Sequence, residues 1–318
     1  MVKFLIALVL ILTYCTIQSS AQTNFNGVGI WNLKLNIAIG VIDYPTSDQA
    51  VPKVQLPNLF YDDKSFQQST FNNQTKVLTL IAQRFNNGGS VIYSIDTVAW
   101  KVIGSTSYGS LYKFGGLASD QTSGNGVYGV YVDYSSNRLG ILNTITLSFA
   151  NNNKASSVGS FAGDYRGSVY VPSSQQYYIA FTNTTGLFVK VFDKKYKEVQ
   201  EKQSLFANND FPVIDTPLNL VYDPQNDQII ANVQMQYSST QVTCGLAYLD
   251  LNTFDFFLTN MYGYSGDYFL FTVGLTTSNI AYTFSIDFNG LFYVYKWNLF
   301  TGVYQTYSEY YTPILAAF

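Results

Sequence analysis

Histidine is absent from all 318 residues. That absence excludes Ser-His-Asp and Cys-His catalysis, imidazole metal sites and the commonest general base. Glutamate is confined to Glu198, Glu201 and Glu309, and arginine to Arg84, Arg138 and Arg166. Glu198 and Glu201 share a charge run with Lys194, Lys195, Lys197 and Lys202, which reads as a solvated hairpin. Cysteine is limited to Cys15 and Cys244. Cys15 lies in a leader, described next, so the mature chain has no internal disulfide and must rest on its core, for which ~300 residues suffice. Cys244, in the apolar run TQVTCGLAYLDL, is expected to be a buried thiol, the alternative being a bond to another chain. Only 12% of residues are charged, 17 basic against 20 acidic. No basic face is available to track phosphates, so no nucleic-acid partner is expected.

The one long apolar run is at the start, MVKFLIALVLILTYCTIQSSAQ. Lys3 is a positive n-region, Phe4 to Leu12 an apolar h-region, and Ser19-Ser20-Ala21 a small-residue cleavage site. This reads as a secretory signal peptide over residues 1–21. It is too short to span the ~30 Å of a bilayer's hydrocarbon, and no later stretch is expected to cross one. The mature chain, residues 22–318, is expected outside the cell or in a vesicle lumen as one domain.

What is abundant is Asn, Gln, Ser and Thr, with 27 Tyr and 24 Phe. A pattern of apolar residue, polar turn and β-rich strand begins at Phe71, Tyr134, Val171, Tyr222 (YDPQNDQIIANV) and Leu275. A second hairpin pattern is anchored by Asn36, Asp96, a weaker copy near Asn151, Asp193, Asp250 and Asn298. Asp and Asn suit such turns because their side chains bond nearby backbone N–H groups. Together the two patterns make a four-stranded unit, a–turn–b–loop–c–turn–d, recurring roughly every 50 residues, the signature of a β-propeller. Runs such as QQYYIAF do not alternate apolar and polar, as expected of blades covered on both faces. The expected fold is all-β, a propeller of six four-stranded blades, with five or seven as alternatives. The tail TPILAAF is expected to pair with an N-terminal hairpin, residues 28–45, so that both chain ends close the first blade.

The c–d hairpins resemble the apolar-Asp-x-x-Thr-Gly-x-apolar hairpins of many propeller families. NLFTGVY, Asn298 to Tyr304, matches best and DLNTFDF, from Asp250, next. The resemblance is at the level of the fold. Lactonase-like propellers hold a metal with an early Glu, and none precedes Glu198 here. Sialidase-like propellers converge three Arg on one carboxylate, and the positions of Arg84, Arg138 and Arg166 do not suggest convergence.

In such a blade the a–b and c–d turns lie on one rim, and the b–c and d–a connections on the other. The d–a stretches look long: residues 44–58, 104–126, 204–219 and 260–268. Variable loops on a rigid scaffold carry sites. A ligand site is therefore expected there, with Tyr108, Tyr112, Phe114, Tyr262, Tyr264 and Tyr268 as stacking side chains, unless these pack between blades instead. The function expected is a secreted, non-enzymatic binding protein for a glycan or an extracellular protein. The first alternative is an Asp-based carbohydrate hydrolase, which would use Asp120, Asp164, Asp215 or Asp267 as paired carboxylates. The second is a structural matrix or coat component. No histidine-based metal site is possible, and calcium stays open. Sequons at Asn73-Gln74-Thr75 and Asn183-Thr184-Thr185 fall in expected turns and mark glycosylation sites.

Overall fold

The computed structural model describes residues 25–44, 50–62, 67–109, 112–120, 126–133, 141–148, 154–195, 197–204, 220–238, 241–262, 268–273, 280–286, 292–299, 304–308 and 314–318. These form six antiparallel sheets, the blades of a β-propeller.

Blade 1 holds β1 (Phe25–Leu33), β2 (Asn36–Tyr44) and β3 (Val51–Pro57). Blade 2 holds β4 (Leu59–Phe60), β5 (Ser69–Asn72), β6 (Val77–Arg84), β7 (Ser90–Asp96) and β8 (Lys101–Tyr108). Blade 3 is β9 (Tyr112–Ser119), β10 (Gly126–Asp133), β11 (Ile141–Ser148) and β12 (Lys154–Ala162). Blade 4 is β13 (Asp164–Val171), β14 (Gln176–Asn183), β15 (Gly186–Asp193) and β16 (Glu198–Gln203). Blade 5 is β17 (Leu220–Asp223), β18 (Gln228–Ser238), β19 (Gln241–Leu249) and β20 (Phe256–Tyr262). Blade 6 is β21 (Tyr268–Val273), β22 (Ile280–Ile286), β23 (Phe292–Asn298) and β24 (Tyr304–Ser308). The tail strand β25 (Ala316–Ala317) returns to blade 1 and pairs with β1, Ala317 opposite Gly29 and Ala316 opposite Ile30.

The closure by both chain ends matches the sequence expectation, with one correction. The N-terminal segment supplies three strands, not two. The hairpin turn at Lys34–Leu35 is therefore a b–c turn, and the fourth strand, β3, lies inside the 44–58 stretch expected to be a loop. Blade 3 needs the same correction. β9 lies inside the 104–126 stretch, which makes the connection after Tyr134 a b–c one. Local signals hid both strands. Pro52 and Pro57 mark the ends of β3, and Gly115-Gly116 interrupts β9. Pro is tolerated on an edge strand such as β3. The Gly pair sits where the β9–β10 register shifts, and Gly116 has φ +61°.

The turn chemistry follows the sequence closely. Asp96 Oδ1 accepts from the N–H groups of Val98 and Ala99 at 2.8 and 2.9 Å. Asp193 accepts from Lys195 and Lys197, and Asp250 from Asn252 and Thr253. The a–b turns use Asn72 and Asp223 in the same way. Turns 73–76, 97–100, 172–175 and 224–227 each end on a left-handed residue, Lys76, Trp100, Gln175 and Asp227. The charge run around Glu198 is the β15–β16 hairpin, in which Glu201 and Glu198 grip Lys190 at 2.7 and 3.0 Å.

Inner and middle strands are buried on both faces; β6 is buried along six consecutive residues. The apolar clusters lie between neighbouring blades. Val28, Ile30 and Ile37 of blade 1 pack with Leu78 and Leu80 of blade 2, and Val191 of blade 4 packs with Ile229 and Leu249 of blade 5. The outer strands β3, β8 and β16 are largely exposed, and in blades 1 to 5 each outer strand carries one bulged residue: Lys53, Ile103, Val158, Val199 and Thr259. A bulge breaks the row of free N–H and C=O groups that would template another strand.

Ile314 is fully buried, Leu315 joins the blade 1–2 core, and Leu315 N–H donates to Ile30 O at 2.8 Å. Ile314→Ala is expected to cost about 2–4 kcal/mol, read as a lower urea midpoint. An unchanged midpoint would mean that the clasp contributes nothing.

Candidate functional site

The inner strand of blade 2 is split. β4 pairs with Gln83 and Arg84 of β6, and β5 resumes opposite Leu80. The described residues Tyr61, Asp62 and Gln67 form an excursion between these two pairings with β6. Tyr61 is held at the start of this excursion by Asn32 of blade 1, whose side-chain amide bonds both the N–H and C=O of Tyr61 at 2.9 Å. Tyr61 OH meets Ser69 Oγ at 2.7 Å, closing the excursion on itself.

Gln67, at φ +38°, ends the excursion. Its carbonyl accepts from Leu117 N–H of blade 3 at 3.0 Å. Its Oε1 accepts from Ser168 N–H at 2.6 Å and Tyr165 OH at 3.0 Å in blade 4. Its Nε2 donates to Ser168 O at 2.8 Å and to Leu220 O of blade 5 at 3.1 Å. A residue of blade 2 that reaches inner strands of three further blades must lie near the axis. Ser168 Oγ continues the network by donating to Gly116 O at 2.8 Å, and Tyr177 OH donates to the same carbonyl. A Cβ on Gly116 would come within 3.0 Å of Ser168, Tyr165 and Val130, so the blade 3–4 junction has no room there for a side chain. Among the described residues the groups that meet in this network are amides, hydroxyls and backbone groups. Burial pushes the Tyr165 and Tyr177 hydroxyls well above their ordinary value.

The tyrosines expected in the long loops divide into two groups. Tyr108 ends β8 and Tyr112 opens β9, at the d–a end of the blade 2–3 junction. Tyr262 ends β20 and Tyr268 opens β21, at the same rim of the blade 5–6 junction. These junctions lie opposite each other in a ring of six, so the two groups do not form one cluster. Phe114 is 3% exposed, and the half-buried Tyr108 ring packs on it at 4.5 Å beside Ile81 and Ile92. These two rings serve the junction of blades 2 and 3. The side chains of Tyr112, Tyr262 and Tyr268, and Tyr264 altogether, lie outside the described residues.

Asp120 was expected in a d–a connection. It follows β9 at the opposite rim, buried, with its C=O accepting from Asn72 Nδ2 at 3.0 Å. Asp164 opens β13, its side chain undescribed; Asp215 and Asp267 lie outside the described residues. Arg166 is the bulged residue of β13, bonded to Thr182, while Arg84 ends β6, bonded to Gly88 and Ser107; Arg138 lies outside the described residues. Cys244 lies on β19 opposite Tyr262, its side chain undescribed.

Asn73 lies exposed in the β5–β6 turn and accepts from Lys76 Nζ. Asn183 ends β14 on the b–c rim, where its Oδ1 accepts from Thr185 N–H and Oγ at 2.8 and 2.7 Å. A feature without a sequence signal is the apolar surface of the b–c rim at blades 1 and 2. Leu33 (39% exposed), Leu35 (59%) and Phe85 (37%) stand out there. Leu59 N–H donates to Leu35 O at 3.3 Å, and Phe60 packs on Phe85 at 5.2 Å, so the β1–β2 hairpin and the Phe85 turn adjoin on this rim.

No family model matches the chain, and no curated protein does. Among solved structures, one from the nidogen/laminin complex aligns with TM-score 0.56 and 11% identity, over 92% of this chain and 97% of that one. The periplasmic gluconolactonase of Pseudomonas aeruginosa aligns with TM-score 0.53 and 12% identity, over 93% and 99%. The β-propeller domain of the trilobed protease from Pyrococcus furiosus, described as an open velcro, aligns with TM-score 0.50 and 10% identity, over 89% and 79%. At such identities the likeness shows the fold alone, a β-propeller.

Gln67→Glu puts a carboxylate against the carbonyls of Ser168 and Leu220, and a loss of about 2–4 kcal/mol is expected at neutral pH. Protonation restores a donor, so the deficit against wild type should shrink as pH falls from neutrality through the raised pKa of the buried carboxyl and be smallest below the ~4.3 of an unfolded glutamate. A pH-independent deficit would mean the amide is not the tie. The buried tyrosines set the alkaline limit. Their contribution is complete below the ~10 of an unfolded tyrosine and is lost as pH climbs above it, because only the unfolded chain ionises there. Stability in urea should fall above that pH, and less steeply in Tyr177→Phe.

Proposed function

We propose that the chain is a secreted, non-enzymatic binding propeller that recognises an extracellular protein through its b–c/d–a rim. The observation that carries this reading is the exposed apolar side chains of Leu33, Leu35 and Phe85 on that rim. Contiguous exposed apolar side chains mark interaction surfaces more often than they occur by chance. The leader sequence supports secretion, and the turn positions of Asn73 and Asn183 suit glycans added on that route. The nidogen/laminin neighbour supports the reading only in that this fold can serve in an extracellular assembly.

A glycan ligand is the second reading. It is favoured by the placement of Tyr112, Tyr262 and Tyr268 at that same rim. The hydrolase alternative is weakened by Asp120 standing at the far rim. A matrix or coat role would show itself as self-association.

The test is expression of the full chain in a secreting eukaryotic cell. The medium should contain a chain beginning at Gln22 that shifts in mass on enzymatic deglycosylation. Asn73→Gln and Asn183→Gln should each remove part of the shift. The purified protein is then offered to immobilised extracellular matrix proteins and to a glycan array, with and without calcium. Saturable binding to a matrix protein supports the proposal, and binding to one glycan class replaces it with the lectin reading. Retention in the cell, or a folded protein that binds nothing, overturns it.

A further inference from the structure

Resting on that binding role, we infer that the apolar surface of blades 1 and 2 docks a protein segment whose apolar side chains are flanked by carboxylates. The surface is built on two rigid supports. The β1–β2 hairpin presents Leu33 and Leu35 on either side of Lys34, whose φ of +56° closes the tight turn. The short 3-10 turn Phe85–Asn87 presents Phe85, which Phe60 braces from below. Gly89, at φ +84°, completes this turn where a Cβ would strike Tyr108 O at 2.1 Å, so its shape admits no other residue. The Leu59–Leu35 backbone bond fastens the two supports together.

Charge selects the occupant. Lys34 stands exposed between the two leucines. Arg84 stands exposed beside Phe85, its guanidinium oriented by Gly88 O and by Ser107 Oγ at 2.8 Å. The described ion pairs involve Lys190, on blade 4, and neither of these cations. A chain of net charge −3 thus shows two cations around its apolar surface. Complementary charge steers association and sets register, which favours an apolar segment bearing Asp or Glu. Leucine side chains offer no partner to sugar hydroxyls. Two cations attract an anionic membrane only weakly and are opposed by the net negative charge of the rest.

The probe is a random dodecapeptide phage library panned on the full-length chain, with the consensus peptide then synthesised. The expected peptide carries Leu, Ile, Phe or Trp together with Asp or Glu. Its affinity should fall about tenfold or more in the double variant Leu35→Ser/Phe85→Ser and several-fold in Lys34→Glu. It should also weaken with salt and be unchanged in Val98→Ser, an exposed residue of the opposite rim. Thermal melts should be unchanged, since the altered side chains are exposed. A peptide that binds the double variant equally well, a basic consensus, or no enriched peptide overturns the inference. So does binding to phosphatidylcholine–phosphatidylserine vesicles, or dimerisation of the chain itself, that is lost in the double variant. Matrix-protein or glycan binding that survives in the double variant sinks this surface and leaves the binding role standing. A wild type that binds nothing sinks both.

Discussion

The side chain of Gln67 is the contact on which the ring depends. A primary amide carries two donors and two lone pairs, and Gln67 uses both ends at once. One end holds Ser168 N–H and Tyr165 OH, and the other holds the carbonyls of Ser168 and Leu220. Its own carbonyl holds Leu117. Each such bond is worth roughly 1 kcal/mol net, yet an orphaned buried partner costs about 1–3. Removing the amide therefore exposes blades 4 and 5 to that penalty together. The split inner strand of blade 2 and the left-handed backbone at Gln67 follow from the need to bring this one residue out of its sheet.

Around that centre the blades are alike in their turns and unlike in their inner strands. Blade 2 has an excursion where β13 of blade 4 has the bulge at Arg166 and β21 of blade 6 skips Leu270. Identical inner strands would meet at the axis with identical side chains. The irregularities allow a hydrogen-bonded filling instead. Between blades, bulky rings take up the space that widens outward. Tyr128 stacks on Tyr170 at 5.2 Å and an interplanar angle of 5°, and Trp297 Nε1 donates to Thr283 at 2.9 Å within the blade 5–6 junction. This is why a chain so rich in Tyr and Phe shows few of them at its described surface.

The chemistry available follows from the composition. Without histidine, and with most described Asp engaged in turns, the hydrogen-bonding groups at the axis are neutral across the physiological pH range. Such a scaffold suits recognition by shape, apolar contact and a few fixed charges, which is what the rim of blades 1 and 2 offers.

The propeller, its turns and its closure were legible in the sequence because each rests on contacts a few residues long. Asp96, Asp193 and Asp250 bond to N–H groups two to four positions onward, so their spacing reports the blades directly. The closing tail was legible from the incomplete first repeat. β3 and β9 were not, because Pro and Gly read locally as breakers while strand pairing overrides them. Tyr108 and Phe114 looked like a ligand platform until the β8–β9 junction put one ring on the other. Gln67 gave no signal at all, since its partners lie 101 and 153 residues away. The sequence by itself determined the repeat, because turn geometry is local chemistry. Only the tertiary structure decided what fills the axis and which side chains face out, because both depend on how six sheets close into one ring.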